Sequence, residues 1–214
     1  MDPRTEELRA AHDVLAAVYV DRLADILDRM PIERAVLGLF AELVREGGTG
    51  TDVGDIGCGT GRLAPYLSSQ GLAPHGVDLS PEMIRVAQRD YPGHPFEVAD
   101  LRALPFDDAS LDGVVAWYSL MYLPPEHRGP AFGELARVLK PGGHLATAFK
   151  LGDDSLRRGG ASLDLGIGFD IYWLSRREME RRLGDAGFRV VLWADRPADP
   201  DEVQPQGYLV AERL

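Results

Sequence analysis

Three aspartates that close short apolar runs, with a glycine-rich segment behind the first, are the residues of this chain whose types and spacing suit chemistry. Asp55 stands two residues before Gly57-Cys58-Gly59-Thr60-Gly61. Asp78 follows nineteen residues after Gly59 in Gly76-Val77-Asp78-Leu79-Ser80, and Asp100 lies in Val98-Ala99-Asp100-Leu101. An apolar strand that runs into alternating glycines and then a helix lets a ligand approach the backbone, which is the form of a nucleotide-type pocket. Asp78, at the end of a strand, suits the two hydroxyls of a ribose, and Asp100 suits an adenine amino group. Each has a plainer alternative: Asp100 as the cap of a turn, Asp78 as the cap of the helix that opens at Pro81.

The loop does not fit a dinucleotide. The G-x-G-x-x-G fingerprint needs a third glycine where this chain has Arg62, and its third glycine comes one residue early. Asp55 adds an electrostatic objection, since its carboxylate would repel a pyrophosphate and attract the ammonium of a methionine moiety. The phosphate-binding lysine motif also fails, because no Gly-Lys-Ser/Thr follows the loop.

The elements around these residues alternate as in a parallel sheet covered by helices. Strands are predicted near 52–56, 72–77, 95–99, 111–117, 142–149, 188–195 and 206–212, with helices near 62–70, 81–90, 126–139 and 175–186. Ser80-Pro81 caps and opens one helix, and Lys140-Pro141-Gly142-Gly143 ends another and turns into a strand. Ahead of them, an apolar stripe over 4–29 (Leu8, Ala11, Leu15, Val18, Leu23, Ile26, Leu27) predicts one amphipathic helix or two short ones. A further helix opens at Pro31 and ends before Gly47-Gly48. Residues 1–48 are thus expected to form a helical cap on a domain of 49–214, within one structural domain overall. Residues 150–171, rich in Gly, Asp and Ser, read as one long connection of the kind that serves as a lid or substrate element.

Bulk properties narrow the partners. A formal charge of −11 over 214 residues argues against nucleic acid as a ligand. The single cysteine, Cys58, excludes an internal disulfide and a cysteine-rich metal site. The mixed-charge N-terminus does not read as a secretory signal, and no run approaches the roughly 20 apolar residues that span a bilayer. A cytoplasmic monomer or homodimer is expected, with no membrane and no metal.

Together these segments resemble the class I S-adenosylmethionine-dependent methyltransferases, in the branch with the Asp-Ile-Gly-Cys-Gly-Thr-Gly loop. The likeness extends from about residue 50 to the C-terminus and includes Gly76 to Met83, Asp100 to Phe106, Asp112 to Ser119 and Arg137 to Gly143. It implies an α/β fold: a Rossmann-like seven-stranded sheet in order 3-2-1-4-5-7-6, last strand antiparallel, with helices on both faces. It also implies S-adenosylmethionine as cofactor and S-adenosylhomocysteine as product. Asp55, Gly57, Cys58 and Gly59 would then hold the methionine moiety, and Asp78 the ribose. Leu79 and Met83 would flank the adenine, with Asp100 and Leu101 at its edge. Ala116 and Trp117 would lie near the sulfonium and methionine chain. Tyr19 looks like the tyrosine that closes over the cofactor carboxylate in related enzymes; a core tyrosine is the alternative. Where many relatives carry a histidine just after the fourth strand, this chain has Tyr122.

Methyl transfer from a sulfonium is an in-line displacement, so positioning of donor and acceptor should dominate catalysis. Tyr118 and Tyr122 are candidates to hydrogen-bond or stack on the acceptor, and His127 is the candidate base nearest in sequence. Phe169, Tyr172 and Trp173, with Leu163 and Ile167, suggest a small, partly aromatic or apolar acceptor for transfer to O, N or C. The competing readings are an NAD-dependent oxidoreductase or epimerase, and a regulatory protein that binds the cofactor without catalysis.

Overall fold

The computed structural model describes residues 2–23, 26–160, 165–200 and 202–214. The apolar runs form strands β1 (Asp52–Ile56), β2 (Ala73–Asp78), β3 (Phe96–Val98), β4 (Leu111–Trp117) and β5 (Leu139–Lys150), all parallel. After a hairpin of β6 (Leu156–Gly159) and β7 (Phe169–Tyr172) come β8 (Phe188–Arg196) and β9 (Gln206–Arg213). The main sheet runs β3-β2-β1-β4-β5-β9-β8. With the hairpin set aside, that is the 3-2-1-4-5-7-6 order implied by the resemblance. Only residues 197–205 join β8 to β9, too short a link for the crossover that parallel strands need, so β9 runs antiparallel to both neighbours.

Two expectations change. The long connection after β5 contains the β6–β7 hairpin, whose four-residue strands are too short to show a period in sequence; Leu163 lies outside the described residues. The fifth strand also starts earlier than expected, at Leu139. Lys140-Pro141-Gly142-Gly143 is a bulge within it, across which the pairing jumps from Leu111 opposite Leu139 to Gly113 opposite His144.

Helices α2 (Pro31–Glu46) and α3 (Ala64–Ser69) cover one face of the sheet. Val36, Leu37, Phe40 and Val44 of α2 recur at helical spacing and pack on Val53, Val115, Ala148 and Tyr208. Helices α5 (Pro125–Val138) and α6 (Arg176–Asp185) cover the other, against Val114, Ala116, Phe149 and Leu209. The N-terminal stripe becomes α1 (Pro3–Leu23) and a 3-10 turn at Ile26–Arg29. Ala11 and Leu15 of α1 are buried with Phe169 of β7 and with Met83 and Val86 of α4 (Pro81–Asp90). A polar contact fixes this crossing: Asp13 accepts from Ser80 Oγ at 2.6 Å and from the Glu82 amide at 3.2 Å, at the positive end of α4. Among the described residues no helix is long and apolar enough to cross a membrane.

At the opposite edge of the sheet Asp112, 2% exposed, ties three connections together. It accepts from Thr49 Oγ1 at 2.6 Å, the Asp52 amide at 3.0 Å and Lys140 Nζ at 2.7 Å. Asp112→Ala leaves these donors unmatched and is expected to lower stability by about 2 kcal/mol. A urea transition whose midpoint does not move would contradict this.

Candidate active site

Because β1 to β5 are parallel, their carboxyl ends share one edge, where the chain crosses from strand to loop. A cavity of about 430 Å³ opens there, roofed by α1 and by β7. Of the fifteen residues singled out in the sequence as cofactor-binding or catalytic, Tyr19, Asp55, Gly57, Cys58, Gly59, Asp78, Leu79, Met83, Asp100, Leu101, Trp117, Tyr118 and Tyr122 line it. Ala116 and His127 do not.

The turn after β1 is pinned by Gly57 and Cys58 amides that both donate to the Val77 carbonyl, at 2.7 and 3.0 Å. Its glycines have different reasons. At Gly61 (φ +78°) a Cβ would lie 2.7 Å from Phe96 and 2.9 Å from Ala87, so packing demands glycine. At Gly59 (φ +55°) a Cβ would meet nothing within 4 Å, so the backbone lies open to the cavity. The Cys58 side chain turns away into a cluster with Ile84 and Phe96, where burial pushes the thiol pKa up.

Asp78 braces this loop: Oδ2 accepts from the Gly59 amide and Oδ1 from the Ser80 amide, both at 2.9 Å. Ser80, not Asp78, caps α4, its hydroxyl accepting from the Met83 amide at 3.1 Å. Burial raises the Asp78 pKa against the pull of nearby His12 and of these two amides. Asp55 is 1% exposed, and among the described residues neither of its oxygens has a hydrogen-bond partner. Burial pushes its pKa up to about 7, with Arg62 drawing it down and Asp78 adding to the rise. Arg62, also on the cavity wall, buries an Nη1 that likewise has no partner among the described residues.

Asp100 is engaged differently. Arg102 grips its carboxylate through Nε at 2.9 Å and Nη2 at 2.5 Å, and the Arg102 amide donates to Oδ1 at 2.9 Å. The turn-capping alternative therefore describes much of what this side chain does. Arg102 Nη1 also lies 3.0 Å from His127 Nδ1. A guanidinium only donates, so Nδ1 accepts and the ring proton sits on Nε2, leaving neutral His127 no nitrogen free to take a proton. Ala116 is kept from the cavity by strand alternation, which turns it toward the α5 face while Trp117 points to the α2 face.

Trp117 and Tyr118 are held by Glu33 from α2. Its carboxylate, 4% exposed, accepts from Trp117 Nε1 at 3.0 Å and Tyr118 OH at 2.9 Å. Tyr118 has left-handed backbone (φ +58°), a strained conformation for a bulky residue at the end of β4. Burial and the Glu33 charge push its phenol pKa up, so it acts as a donor rather than a base. Burial, with a hydrogen bond to Tyr19, does the same to Tyr122. Phe169 and Tyr172 line the cavity, whereas Trp173 is not among its lining residues and stacks with Arg157 at 4.3 Å.

Among the lining residues not singled out as ligand contacts, three bear directly on the cofactor end and the residues after β4. Arg62 was visible only as the residue that breaks the dinucleotide register. Glu33 carried a signal: a carboxylate at helical spacing with Val36, Leu37, Phe40 and Val44 sits on a buried face. His12 lies four residues after Leu8, whose carbonyl is 2.9 Å from Nδ1. That carbonyl only accepts, so Nδ1 carries the proton and Nε2 is the basic nitrogen. The His12 ring packs edge-on against Tyr122, with centroids 4.9 Å apart.

Comparison with known proteins agrees with this geometry. A methyltransferase-domain family model matches residues 53–143. An O-methyltransferase of Aspergillus nomiae is 30% identical over 69% of this chain and 73% of its own length. Another, from Aspergillus sclerotiorum, is 28% identical over 91% of this chain and 80% of its own. Other curated relatives are longer, and the chain spans about half of their length. Among solved structures, magnesium protoporphyrin IX methyltransferase from Synechocystis, with S-adenosylmethionine bound, superposes with a TM-score of 0.72. That match has 21% identity and covers 100% of this chain and 99% of that one, which speaks to the fold. The strand-end acids, the open Gly59 backbone and these likenesses agree: the chain belongs to the class I S-adenosylmethionine-dependent methyltransferases.

Proposed function

We propose that this enzyme moves the methyl group of S-adenosylmethionine to an oxygen of a small, partly aromatic or apolar acceptor, with positioning as its main catalytic resource. The observation that carries the reading is a buried carboxylate, Asp55, and a half-buried guanidinium, Arg62, whose Oδ1, Oδ2 and Nη1 have no hydrogen-bond partner among the described residues, in one cavity with Asp78. An amino acid bears an ammonium and a carboxylate on one carbon; Asp55 suits the first and Arg62 the second. Asp78 spends one contact per oxygen on backbone amides and keeps lone pairs for ribose hydroxyls. Leu79 and Met83 offer apolar surface to an adenine. A dinucleotide would instead set its pyrophosphate against Asp55, which disfavours the oxidoreductase reading.

When bound, the cofactor supplies a methyl group on a sulfonium, already activated for displacement. The chain's own side chains then orient and exclude water. Glu33 fixes the Trp117 and Tyr118 rings at the end of β4, and Tyr118 and Tyr122 stay protonated as donors or walls. His12, through Nε2, is the imidazole suited to accept a proton from the acceptor hydroxyl. The O-methyltransferase relatives support oxygen as the atom methylated. Acidic charge supports an enzyme that acts without nucleic acid, and a single cysteine fits a reducing, cytoplasmic compartment. In this reading residues 1–48 cap a domain of 49–214, and α1 supplies Tyr19 and His12 to the roof.

The Asp55 pKa gives a signed test. Raised from its ordinary value to about 7, the group binds more protons folded than unfolded, so it costs the free protein stability as pH rises from about 4 to about 7. Ligand-free Asp55→Asn should therefore melt above wild type at neutral pH while binding S-adenosylhomocysteine more weakly. Near pH 6, binding to wild type should release a proton that the variant does not, read by calorimetry in buffers of different ionisation enthalpy. Equal proton release in both proteins would contradict the assignment. Arg62→Met should weaken S-adenosylhomocysteine by about tenfold or more and leave methylthioadenosine, which lacks the amino acid, unchanged. An equal loss for both ligands would count against a carboxylate contact.

A further inference from the structure

Past the cofactor end, the cavity continues over the carboxyl end of β5 and the adjoining ends of β9 and β8. Lys150, Gln206 and Arg196 stand there side by side, Lys150 opposite Gln206 and Gln206 opposite Arg196. Strand alternation places them on the face of Ala148, Tyr208 and Ala194, which pack toward α2. All three line the cavity.

Their hydrogen-bonding capacity is unequally spent. Arg196 is committed to Glu202 through Nη1 at 2.7 Å and Nη2 at 2.8 Å. Glu202 also accepts from the Asp199 amide and from Gln206 Nε2, at 2.9 and 3.2 Å. Glu33, the other carboxylate at this end, is taken up by Trp117, Tyr118 and Tyr208. The Lys150 ammonium makes no hydrogen bond or ion pair among the described residues, although its carbonyl accepts from the Leu174 amide at 2.8 Å. Burial pulls its pKa down, with Glu202 drawing it up and Arg196 adding to the fall. Gln206 is 1% exposed, and its Oε1 has no partner among the described residues. This end of the cavity therefore offers one unspent cation beside one unspent acceptor.

Resting on the methyltransferase reading, we propose that this lobe is the acceptor subsite, and that Lys150 with Gln206 selects an acceptor bearing a carboxylate, a hydroxy acid. The carboxylate lies on Lys150, where an anion offsets the cost of a half-buried ammonium. Gln206 Oε1 accepts from a hydroxyl or N–H of the same molecule. The apolar surfaces of Ile26, Met30 and Trp117 suit the carbon skeleton between. The Lys150 ammonium draws the carboxylate to this end, away from Asp55 and Asp78.

The test uses the full chain saturated with S-adenosylhomocysteine, titrated by calorimetry with para-hydroxybenzoate and para-coumarate, each against its neutral amide. Wild type should bind at least one acid about tenfold or more tighter than its amide. Lys150→Met should bring acid and amide within about twofold, and Lys150→Arg should keep most of the preference, with S-adenosylhomocysteine affinity the same in all three proteins. The proposal is overturned if wild type binds neither acid, binds acid and amide alike, or if the preference survives in Lys150→Met. Failure of wild type to bind S-adenosylhomocysteine would overturn the cofactor reading beneath it, and the subsite with it.

Discussion

A carboxylate held 1% exposed at the end of a central strand, with no hydrogen bond to either oxygen from the described residues, is the constraint around which this molecule is arranged. Left uncompensated, a charge in such a place costs several kcal/mol, so folded proteins pair it, protonate it or reserve it for a ligand. Asp55 is flanked by Gly76 on β2 and Val115 on β4, neither of which can reach it with a donor side chain. Arg62 is near enough to draw its pKa down without bonding to it. The protein thus keeps a cation-seeking and an anion-seeking group apart in one cavity, which is the charge pattern of a zwitterion in negative image.

The walls are built to hold that arrangement open. Asp78 locks the glycine loop through the Gly59 amide, so the backbone cannot collapse onto Asp55. Asp13 fastens α1 across the start of α4, and α1 brings Tyr19 and His12 over the site. Glu33 reaches from α2 to fix Trp117 and Tyr118 where β4 ends. Each tie joins elements distant in sequence, and each uses a buried or half-buried carboxylate. The acidic composition thus partly reflects internal fastening, while the remaining unspent charge at Lys150 lies at the other end of the cavity.

What the sequence disclosed was local. Asp55, the glycine register and Asp78 lie within about one strand-loop-helix-strand unit, so their geometry follows from a short repeat of well-understood backbone. The sheet order came from the resemblance, not from periodicity. The hairpin at β6 and β7 escaped because strands of four residues carry too little alternation to stand out. His127 looked useful by its closeness in sequence to β4, yet Arg102 claims its Nδ1; His12, far from β4 in sequence, lies on the cavity instead. Ala116 shows the same limit at one-residue scale, since only the strand's facing, set by packing against α5, decides that Trp117 and not Ala116 meets the cavity.

The two unspent charges, Asp55 and Arg62, decide the kind of ligand that the cavity admits. Equilibrium titration of the ligand-free protein with S-adenosylhomocysteine and, separately, with NADH tests it most directly. Saturable binding of S-adenosylhomocysteine at one site, displaced by S-adenosylmethionine, with no binding of NADH, is the result predicted. Saturable binding of NADH that S-adenosylhomocysteine fails to displace would contradict it.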